Sequence, residues 1–191
     1  MRRRTELLGA LAQLIAERPV DEIEIADVTQ RAGVARSLFY FYFPGKASAI
    51  AALLADVLDD VTGAAASWCT GGGAPARELL EPGITAIVEV WRAHAREILA
   101  LLEAVRGDAR AHAQWIQWGT DCAAHIRARI ERDQADGLVR AGLNPGAIAQ
   151  ALVGMMLAEM ERDVRALIQD GAPLPGLVDA LVHIWEQAIY G

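Results

Sequence analysis

The side chains best suited to chemistry lie close together between Arg36 and Lys46, in the stretch RSLFYFYFPGK. This stretch holds an arginine, a serine, two tyrosines and the chain's single lysine. Arginine and lysine pair with phosphate through charge, and a tyrosine hydroxyl donates to phosphate from a stiff ring. The combination is typical of a surface that meets a polyanion.

Groups that carry catalysis do not form a recognisable set in this sequence. Asp121 and His125 are a single i, i+4 pair, and the alternating Glu159 and Glu161 point to different faces of a helix. No HExxH, GxSxG, Walker-type or dinucleotide-type glycine motif occurs. We therefore expect no enzyme, no catalytic residue, no metal site and no cofactor.

Composition indicates a folded chain with a substantial core. Apolar residues make up 53% of the 191 residues and charged residues 23%. No apolar run reaches the length of a membrane span, and no signal peptide follows the first residues. Cys69 and Cys122 form no CxxC pair and suit a reducing compartment. We expect a cytoplasmic protein with no membrane partner, in which both cysteines pack.

The charge is unevenly distributed along the chain. The net charge of the whole chain is −7, whereas residues 1–46 contain seven basic and six acidic side chains. Such an acidic body with an arginine-tipped amino-terminal part can bind a polyanion at that part alone.

Helical spacing of apolar residues recurs throughout the sequence and no strand pattern persists, which predicts an all-α fold. Leu7 to Ile15 form one stripe that ends before Pro19. Loop residues at Gly71–Gly73 and Pro75 separate the amino-terminal helices from a larger helical body. In that body we expect helices at about 76–104, 108–136, 145–170 and 174–190.

The amino-terminal part has the layout of a helix-turn-helix unit. A short helix from Ile25 to Ala32, a turn at Gly33 and a second short helix from Arg36 to Tyr42 are followed by a longer helix over 46–62. We expect a three-helix DNA-binding domain at 1–46 and a ligand-binding and dimerisation domain at 47–191. The helix over 46–62 connects the two.

The aromatic run divides between core and surface on such a second helix. Phe39 and Phe43 are four residues apart and share one side, whereas Tyr40 and Tyr42 lie further round. The phenylalanines are expected to pack inward while the phenol groups face outward.

Residues 22–62, centred on RAGVARSLFYFYFPGK, resemble the DNA-binding domain of the TetR family of bacterial regulators. The nearest pattern is that of the ethionamide-resistance repressor group, which shares the FYFYFP run. The carboxyl-terminal LVHIW…IYG, from Leu181 to Gly191, is also similar to that group. The resemblance implies a double-stranded DNA operator, a small-molecule effector and a homodimer.

The resemblance assigns DNA contacts to particular residues. Arg36 and Ser37 fall where the family contacts bases or nearby backbone, and Tyr40, Tyr42 and Lys46 fall where it contacts phosphates. Lys46 also begins a helix, where free N–H groups favour an anion. Two interpretations remain open for Arg2, Arg3 and Arg4. They form either a short arm that contacts the DNA backbone or a minor groove, or a solvated terminus that contacts nothing.

Three positions depart from the family pattern. Ala35 stands where a serine or threonine usually caps the recognition helix, Leu38 replaces a residue that often reads bases, and Glu24 adds negative charge near phosphate. These departures favour shape readout or weaker affinity per subunit. They also leave open a lipid or drug carrier of the same fold that has lost DNA binding.

In the helical body, apolar stripes rich in tryptophan are typical of an ordinary core. The resemblance instead implies a cavity for an apolar or aromatic effector between these helices. The residues expected to line it are Ile87, Trp91, Trp115, Trp118, Cys122, His125, Val153, Met156 and Trp185. The stretch ALVGMMLAEM has no asparagine to orient a ligand, so the polar contact is sought at His125, Thr85, Thr120 or Gln114. In the family the last two helices, here about 145–170 and 174–190, form the dimer interface.

Overall fold

The computed structural model describes residues 2–71, 76–107 and 109–191, and every regular element in these ranges is helical. The all-α fold expected from the sequence is confirmed. A 3-10 turn at Val20–Glu22 follows the first helix. The α-helices are α1 Arg2–Glu17, α2 Ile25–Arg31, α3 Arg36–Tyr42, α4 Lys46–Thr70, α5 Ala76–Ala93, α6 Ala95–Gly107, α7 Ala109–Ala135, α8 Pro145–Asp170 and α9 Leu177–Tyr190.

Contacts divide the chain into two compact units, with the divisions falling inside α4 and α7. The first unit contains the chain up to Leu58 together with His94–Trp115, and the second contains Asp59–Ala93 and Ile116–Gly191. The grouping follows contacts rather than function, so the domain boundary at residue 46 stays a prediction. Among the described helices none is long and apolar enough to cross a membrane.

In the first unit, α1 packs against α2 and α6, and α2 packs against α3. Gly33 makes the turn between α2 and α3 with a φ of 64°, a conformation that favours glycine. The N–H of Val34 donates to the carbonyl of Thr29 at 3.0 Å and closes the turn. The buried side chains at the centre include Leu7, Leu11, Leu14, Ile23, Val28, Phe39, Phe43, Ile98 and Leu101.

In the second unit, α5 packs against α8 and α9, and α8 packs against α9. The start of α8 is capped by the Asn144 side chain, which accepts from the N–H of Ala147 at 3.1 Å. The Arg92 guanidinium binds the buried Asp163 carboxylate through two bonds of 2.7 and 3.0 Å, and this pairing raises the pKa of Arg92. The ion pair ties α5 to α8.

Two helix boundaries differ from the sequence prediction. Helix α4 continues to Thr70 rather than ending near residue 62, because the alanine-rich residues after Gly63 sustain the helix. The single helix expected over 76–104 is broken at His94. Apolar spacing continues across that break, so the pattern alone conceals it. The loop expected after Gly71, at 72–75, and residue 108 lie outside the described residues.

Candidate DNA-binding surface and ligand cavity

Helix α3 presents one exposed face formed by residues at i, i+1, i+4 and i+5. Arg36, Ser37, Tyr40 and Phe41 are exposed on it, with exposed fractions of 47% for Tyr40 and 78% for Phe41. Phe39 lies on the opposite side and is buried. The inward packing expected for Phe39 is therefore observed, and three of the residues expected to contact DNA, Arg36, Ser37 and Tyr40, share the outer face.

Arg36 and Tyr40 are neighbours on this face. The Arg36 guanidinium donates to the Tyr40 hydroxyl at 3.3 Å, and its central carbon lies 5.7 Å from the centroid of the phenol ring. The hydrogen bond to Tyr40 raises the pKa of Arg36. A cation and a hydroxyl are thus held side by side where a phosphate can accept from both.

Phe41 is the surface residue that the sequence analysis missed. The helical spacing predicted that Phe39 and Phe43 pack inward and that the phenol groups face outward, but the ring of Phe41 is more exposed than that of Tyr40. Its position relative to Phe39 gives the signal, since residues separated by two positions on a helix lie about 160° apart and Phe39 is the buried one. An apolar ring on an exposed polar face is a candidate contact for another molecule.

Lys46 has a structural partner in addition to its predicted one. Its ammonium donates to the carbonyls of Val20 and Ile23, both at 2.8 Å, and so fixes the chain that enters α2. An ammonium has three donors, so one N–H remains for a phosphate. The half-buried Tyr42 is the last residue of α3, four positions before Lys46 begins α4. Phosphate contacts by Tyr42 and Lys46 remain predictions.

The arginines expected to form an arm lie instead in the first turn of α1. Arg2 and Arg3 each donate to Glu6 at 2.9 Å, and these bonds lower the pKa of Glu6. Arg4 lies over the ring of Phe43 at 5.7 Å. Their predicted contacts with DNA would therefore start from a helix rather than from a flexible segment.

Ion pairs hold the first two helices together behind this surface. Arg31 of α2 donates to both carboxylate oxygens of Glu17 at 2.6 and 2.8 Å, and these bonds lower the pKa of Glu17. The Asp27 carboxylate accepts from the N–H of Glu24, the main reason that its pKa is lowered, and also from Arg18. Ala35 provides no side-chain bond at the start of α3, as the sequence indicated.

The second unit contains an apolar cavity of about 220 Å³. Eight of the nine residues expected to line a ligand site line it: Ile87, Trp91, Trp118, Cys122, His125, Val153, Met156 and Trp185. The ninth, Trp115, lies in the stretch of α7 that belongs to the first unit and does not reach the cavity. Cavity-lining residues thus come from α5, α7, α8 and α9.

One wall of the cavity was not predicted from the sequence, because the helix that begins at Lys46 was expected to end near residue 62. Residues of α4 from Val61 to Thr70 line the cavity, including Ala65, Trp68 and Cys69. Their spacing of three to four residues continues the apolar stripe of the preceding helix and was the available signal. The cavity is therefore bounded by the same helix that begins at Lys46.

The cavity offers few polar groups. Of the four polar contacts considered from the sequence, only His125 lines it, and His125 is exposed. Thr85 and Thr120 bond to carbonyls of their own helices at 2.8 Å, and neither reaches the cavity. Burial raises the pKa of the Cys122 thiol to about 11 and also raises that of Cys69. Both thiols are protonated at neutral pH.

The fold combines a helix-turn-helix unit with a helical unit that contains an apolar cavity, the arrangement of a helical DNA-binding regulator. Residues 80–191 match the family model described as "Transcriptional regulator EthR, C-terminal domain", and residues 7–53 match "Bacterial regulatory proteins, tetR family". The chain belongs to the TetR family of transcriptional regulators and has an EthR-type carboxyl-terminal domain.

Known relatives and solved structures agree with this assignment. The HTH-type transcriptional regulator EthR of Mycobacterium tuberculosis (strain ATCC 25618 / H37Rv) is 28% identical over 99% of this chain and 88% of its own length. EthR of Mycolicibacterium smegmatis is 25% identical over 99% and 87%. FadR of Bacillus subtilis, solved with stearoyl-CoA, shares the fold with a TM-score of 0.73 at 15% identity, over 97% of this chain and 98% of that one.

Proposed function

We propose that this protein is a repressor that binds a DNA operator as a homodimer and is released when a largely apolar small molecule fills its cavity. The observation that carries the proposal is the course of α4. The helix begins at Lys46 beside the recognition helix, and its residues from Val61 to Thr70 form a wall of the cavity. In this proposal the protein acts in the cytoplasm, where its operator is found.

The DNA contacts in this proposal come from the exposed face of α3. Arg36 and Ser37 contact bases or nearby backbone, and Tyr40 donates to a phosphate. Phe41 supplies an apolar surface that fits the methyl group of a thymine. Tyr42 and Lys46 contact phosphates at the edge of the site, and Arg2, Arg3 and Arg4 reach the backbone beside it.

Dimerisation is part of the proposal because one short helix makes few contacts with DNA. A two-fold dimer places two recognition helices in successive major grooves and reads an inverted repeat. Helices α8 and α9 form the interface. Ile168 on α8 and Ile184 on α9 support it, since they are exposed to 37% and 43% in the single chain.

Repression and release are linked through α4. A ligand that widens the cavity displaces the wall that α4 provides, and the displacement alters the spacing between the two recognition helices of the dimer. Ligand and DNA then oppose each other with one coupling free energy, typically about 1–3 kcal/mol. A ligand that binds the DNA-bound and DNA-free conformations equally well would not release the DNA, however tightly it binds.

The DNA part is tested by fluorescence anisotropy with duplexes taken from upstream of the protein's own gene. Specific binding should weaken steeply between 50 and 200 mM salt, because phosphate contacts release counterions. Arg36→Gln and Tyr40→Phe should each weaken binding by roughly 5- to 30-fold. Arg127→Gln is the matched control, because Arg127 is exposed on α7 and bound to Glu131.

Two results would reject the repressor. If no upstream duplex binds better than unrelated DNA, the protein is a carrier of TetR fold, as the departures at Ala35, Leu38 and Glu24 allow. If DNA binds but Arg36→Gln and Arg127→Gln behave alike, the proposed surface is wrong. For the effector, mass spectrometry of compounds retained on purification is followed by their addition to the protein–DNA complex, and DNA release is expected.

A further inference from the structure

The cavity opens to solvent between α4 and α7. Among its described lining residues three are exposed, and all three lie on these two helices: Ala66, Thr70 and His125. The lining residues of α8 and α9 are mostly buried, Met156 and Trp185 among them. A residue that lines a cavity and is also exposed marks where the cavity opens, so Ala66, Thr70 and His125 form its mouth.

The guanidinium of Arg132 lies beside this mouth. Arg132 is exposed on α7 and donates through one nitrogen to the carbonyl of Cys69, which lines the cavity next to Thr70. A guanidinium has five N–H donors, so Arg132 keeps donors for a second acceptor. Arg129 differs, because its charge is bound to the buried Asp133 carboxylate at 2.7 Å. Arg132 is therefore the cation at the mouth that can meet a ligand.

Positive charge reaches the cavity wall at this end of the mouth. Burial raises the pKa of the Cys69 thiol, and the charges of Arg129 and Arg132 oppose that rise. The carbonyls at the end of a helix would repel an anion. Here the carbonyls of Trp68, Cys69 and Gly71 are already bonded to the two guanidinium groups. An anion is thus favoured beside Arg132.

The interior of the cavity takes an apolar group of limited size. None of the side chains that line it is aspartate, glutamate, lysine or arginine. A charged group inside would therefore lose its hydration without gaining a counterion. A cavity of roughly 150 Å³ binds benzene, so one of about 220 Å³ holds on the order of nine carbon atoms. The charged end of a ligand has to stay at the mouth while its apolar part lies inside.

We propose that the cavity binds a small carboxylic acid, with the apolar body inside and the carboxylate at the mouth, where it accepts from Arg132. The inference rests on the proposed function and specifies the ligand class and orientation that the effector site selects. The parallel N–H groups of a guanidinium match the two oxygens of a carboxylate. A molecule with a neutral or cationic polar end gains no such contact.

Three probes with the same chain length test the class: octanoate, 1-octanol and octylammonium. Titration of the intact protein, followed through tryptophan fluorescence, gives a dissociation constant for each probe. We expect octanoate to bind roughly 3- to 10-fold more tightly than 1-octanol, the gain from one charge-assisted contact that is partly exposed to water. Octylammonium should bind more weakly than either. Equal affinity for all three, or preference for 1-octanol, would overturn the proposal.

The salt dependence separates the charged contact from apolar burial. Octanoate should lose affinity as the salt concentration rises from about 50 to 500 mM, because salt screens exposed charges. The affinity of 1-octanol should not fall. If octanoate binds equally well at both salt concentrations, its carboxylate does not meet a cation at the mouth.

The role of Arg132 is tested by two substitutions. Arg132→Gln removes the charge, so octanoate should bind no better than 1-octanol, whereas Arg132→Lys keeps the charge and should keep part of the preference. Arg127→Gln removes another exposed arginine of α7 and should leave the preference unchanged. The affinity for 1-octanol shows whether the cavity is intact, because Arg132 also holds the end of α4. If Arg132→Gln weakens octanoate and 1-octanol equally, Arg132 supports the wall and does not bind the ligand.

The orientation of the ligand can be measured without any variant. In crystals of the wild-type protein with 8-bromooctanoate, the anomalous signal of bromine should lie among the buried side chains of Trp91, Met156 and Trp185. The carboxylate should lie within hydrogen-bond distance of Arg132. A bromine at the mouth would contradict the proposed orientation.

These outcomes are separable from failure of the proposed function. If octanoate binds through Arg132 but leaves the protein–DNA complex intact, the inference holds and release by ligand fails. If an effector releases DNA and binds wild-type protein and Arg132→Gln alike, the function holds and the inference fails.

Discussion

The hydroxyl of Tyr190 donates a hydrogen bond of 2.6 Å to the carboxylate of Asp133. The same carboxylate accepts two bonds, of 2.9 and 2.7 Å, from Nε of Arg129. Arg129 in turn donates to the carbonyls of Trp68 and Gly71, and Arg132 donates to the carbonyl of Cys69. The last carbonyls of a helix lack partners within the helix, so these guanidinium groups anchor the carboxyl end of α4 to α7.

We predict that Asp133→Asn strongly destabilises the protein. Arg129 and Asp133 have side chains exposed to only 3% and 5%, so the substitution leaves a buried cation without its counterion. Breaking a buried pair in this way costs about 3–5 kcal/mol. Urea unfolding followed by tryptophan fluorescence measures the loss directly.

Glu131→Gln is the control for this prediction. Glu131 lies on the same helix and binds Arg127, but the two side chains are exposed to 46% and 60%. Removing an exposed i, i+4 pair should change the free energy of unfolding by less than about 0.5 kcal/mol. Similar losses for Asp133→Asn and Glu131→Gln would show that the buried network does not anchor α4.

Tyr190 gives a pH dependence of known sign. Burial is the largest cause that raises its pKa above the ordinary value of 10.0, and the bond to Asp133 adds to it. A group whose pKa is raised by folding contributes stability that is complete below its unfolded pKa and is lost as the pH rises towards its folded pKa. Wild-type protein should therefore lose stability above about pH 10 more steeply than Tyr190→Phe. Thermal melts between pH 8 and 11 measure both slopes, and parallel slopes would contradict the assignment.

Local patterns in the sequence predicted the parts of the structure that local physics decides. Helical spacing, the turn at Gly33 and the inward packing of Phe39 and Phe43 all follow from neighbours within a few residues. The anchor at Arg129 could not be predicted, because RARIERD looks like a solvated charged face until tertiary packing brings the end of α4 against it. The break at His94 is similar, since each half of that stretch packs in a different unit while the apolar spacing continues.

The cavity, too, could be predicted from the sequence only in part. Eight lining residues follow from stripes on single helices together with the resemblance to the family. The α4 wall was missed because the helix was ended near Gly63, and Trp115 was included because it continues the stripe of Trp118. Which turn of α7 enters the cavity depends on how the helices pack, and periodicity carries no such information.

Lys46 is predicted to stabilise the first unit in the absence of DNA. Lys46→Met removes a charged donor from the carbonyls of Val20 and Ile23 and should lower the free energy of unfolding by about 1–3 kcal/mol. Arg36→Met is the control, because Arg36 is exposed and its hydrogen bond and ring contact are with the exposed Tyr40. It should change stability by no more than about 0.5 kcal/mol. If Lys46→Met matches this control, the two carbonyl bonds contribute nothing and only the phosphate contact remains.

The two cysteines are predicted to react slowly with thiol reagents in the folded protein. The thiolate is the reactive form, and burial raises the pKa of both Cys69 and Cys122. Ellman's reagent at pH 7.5 should label native protein far more slowly than urea-unfolded protein, which should release two equivalents. Filling the cavity with a ligand should slow native labelling further, because both residues line it. Rapid labelling of either thiol in the native protein would contradict this prediction.

Phe41 is predicted to contact a thymine methyl group in the operator. Its ring is 78% exposed, so Phe41→Ala should leave stability unchanged within about 0.5 kcal/mol while weakening operator binding by roughly 3- to 30-fold. Replacing thymines with uracil one at a time removes single methyl groups from the major groove. At one position per half-site, uracil should weaken the wild-type protein and have little further effect on Phe41→Ala, since the two changes remove the same contact. If every uracil weakens both proteins equally, the ring does not touch a methyl group and its exposure serves another purpose.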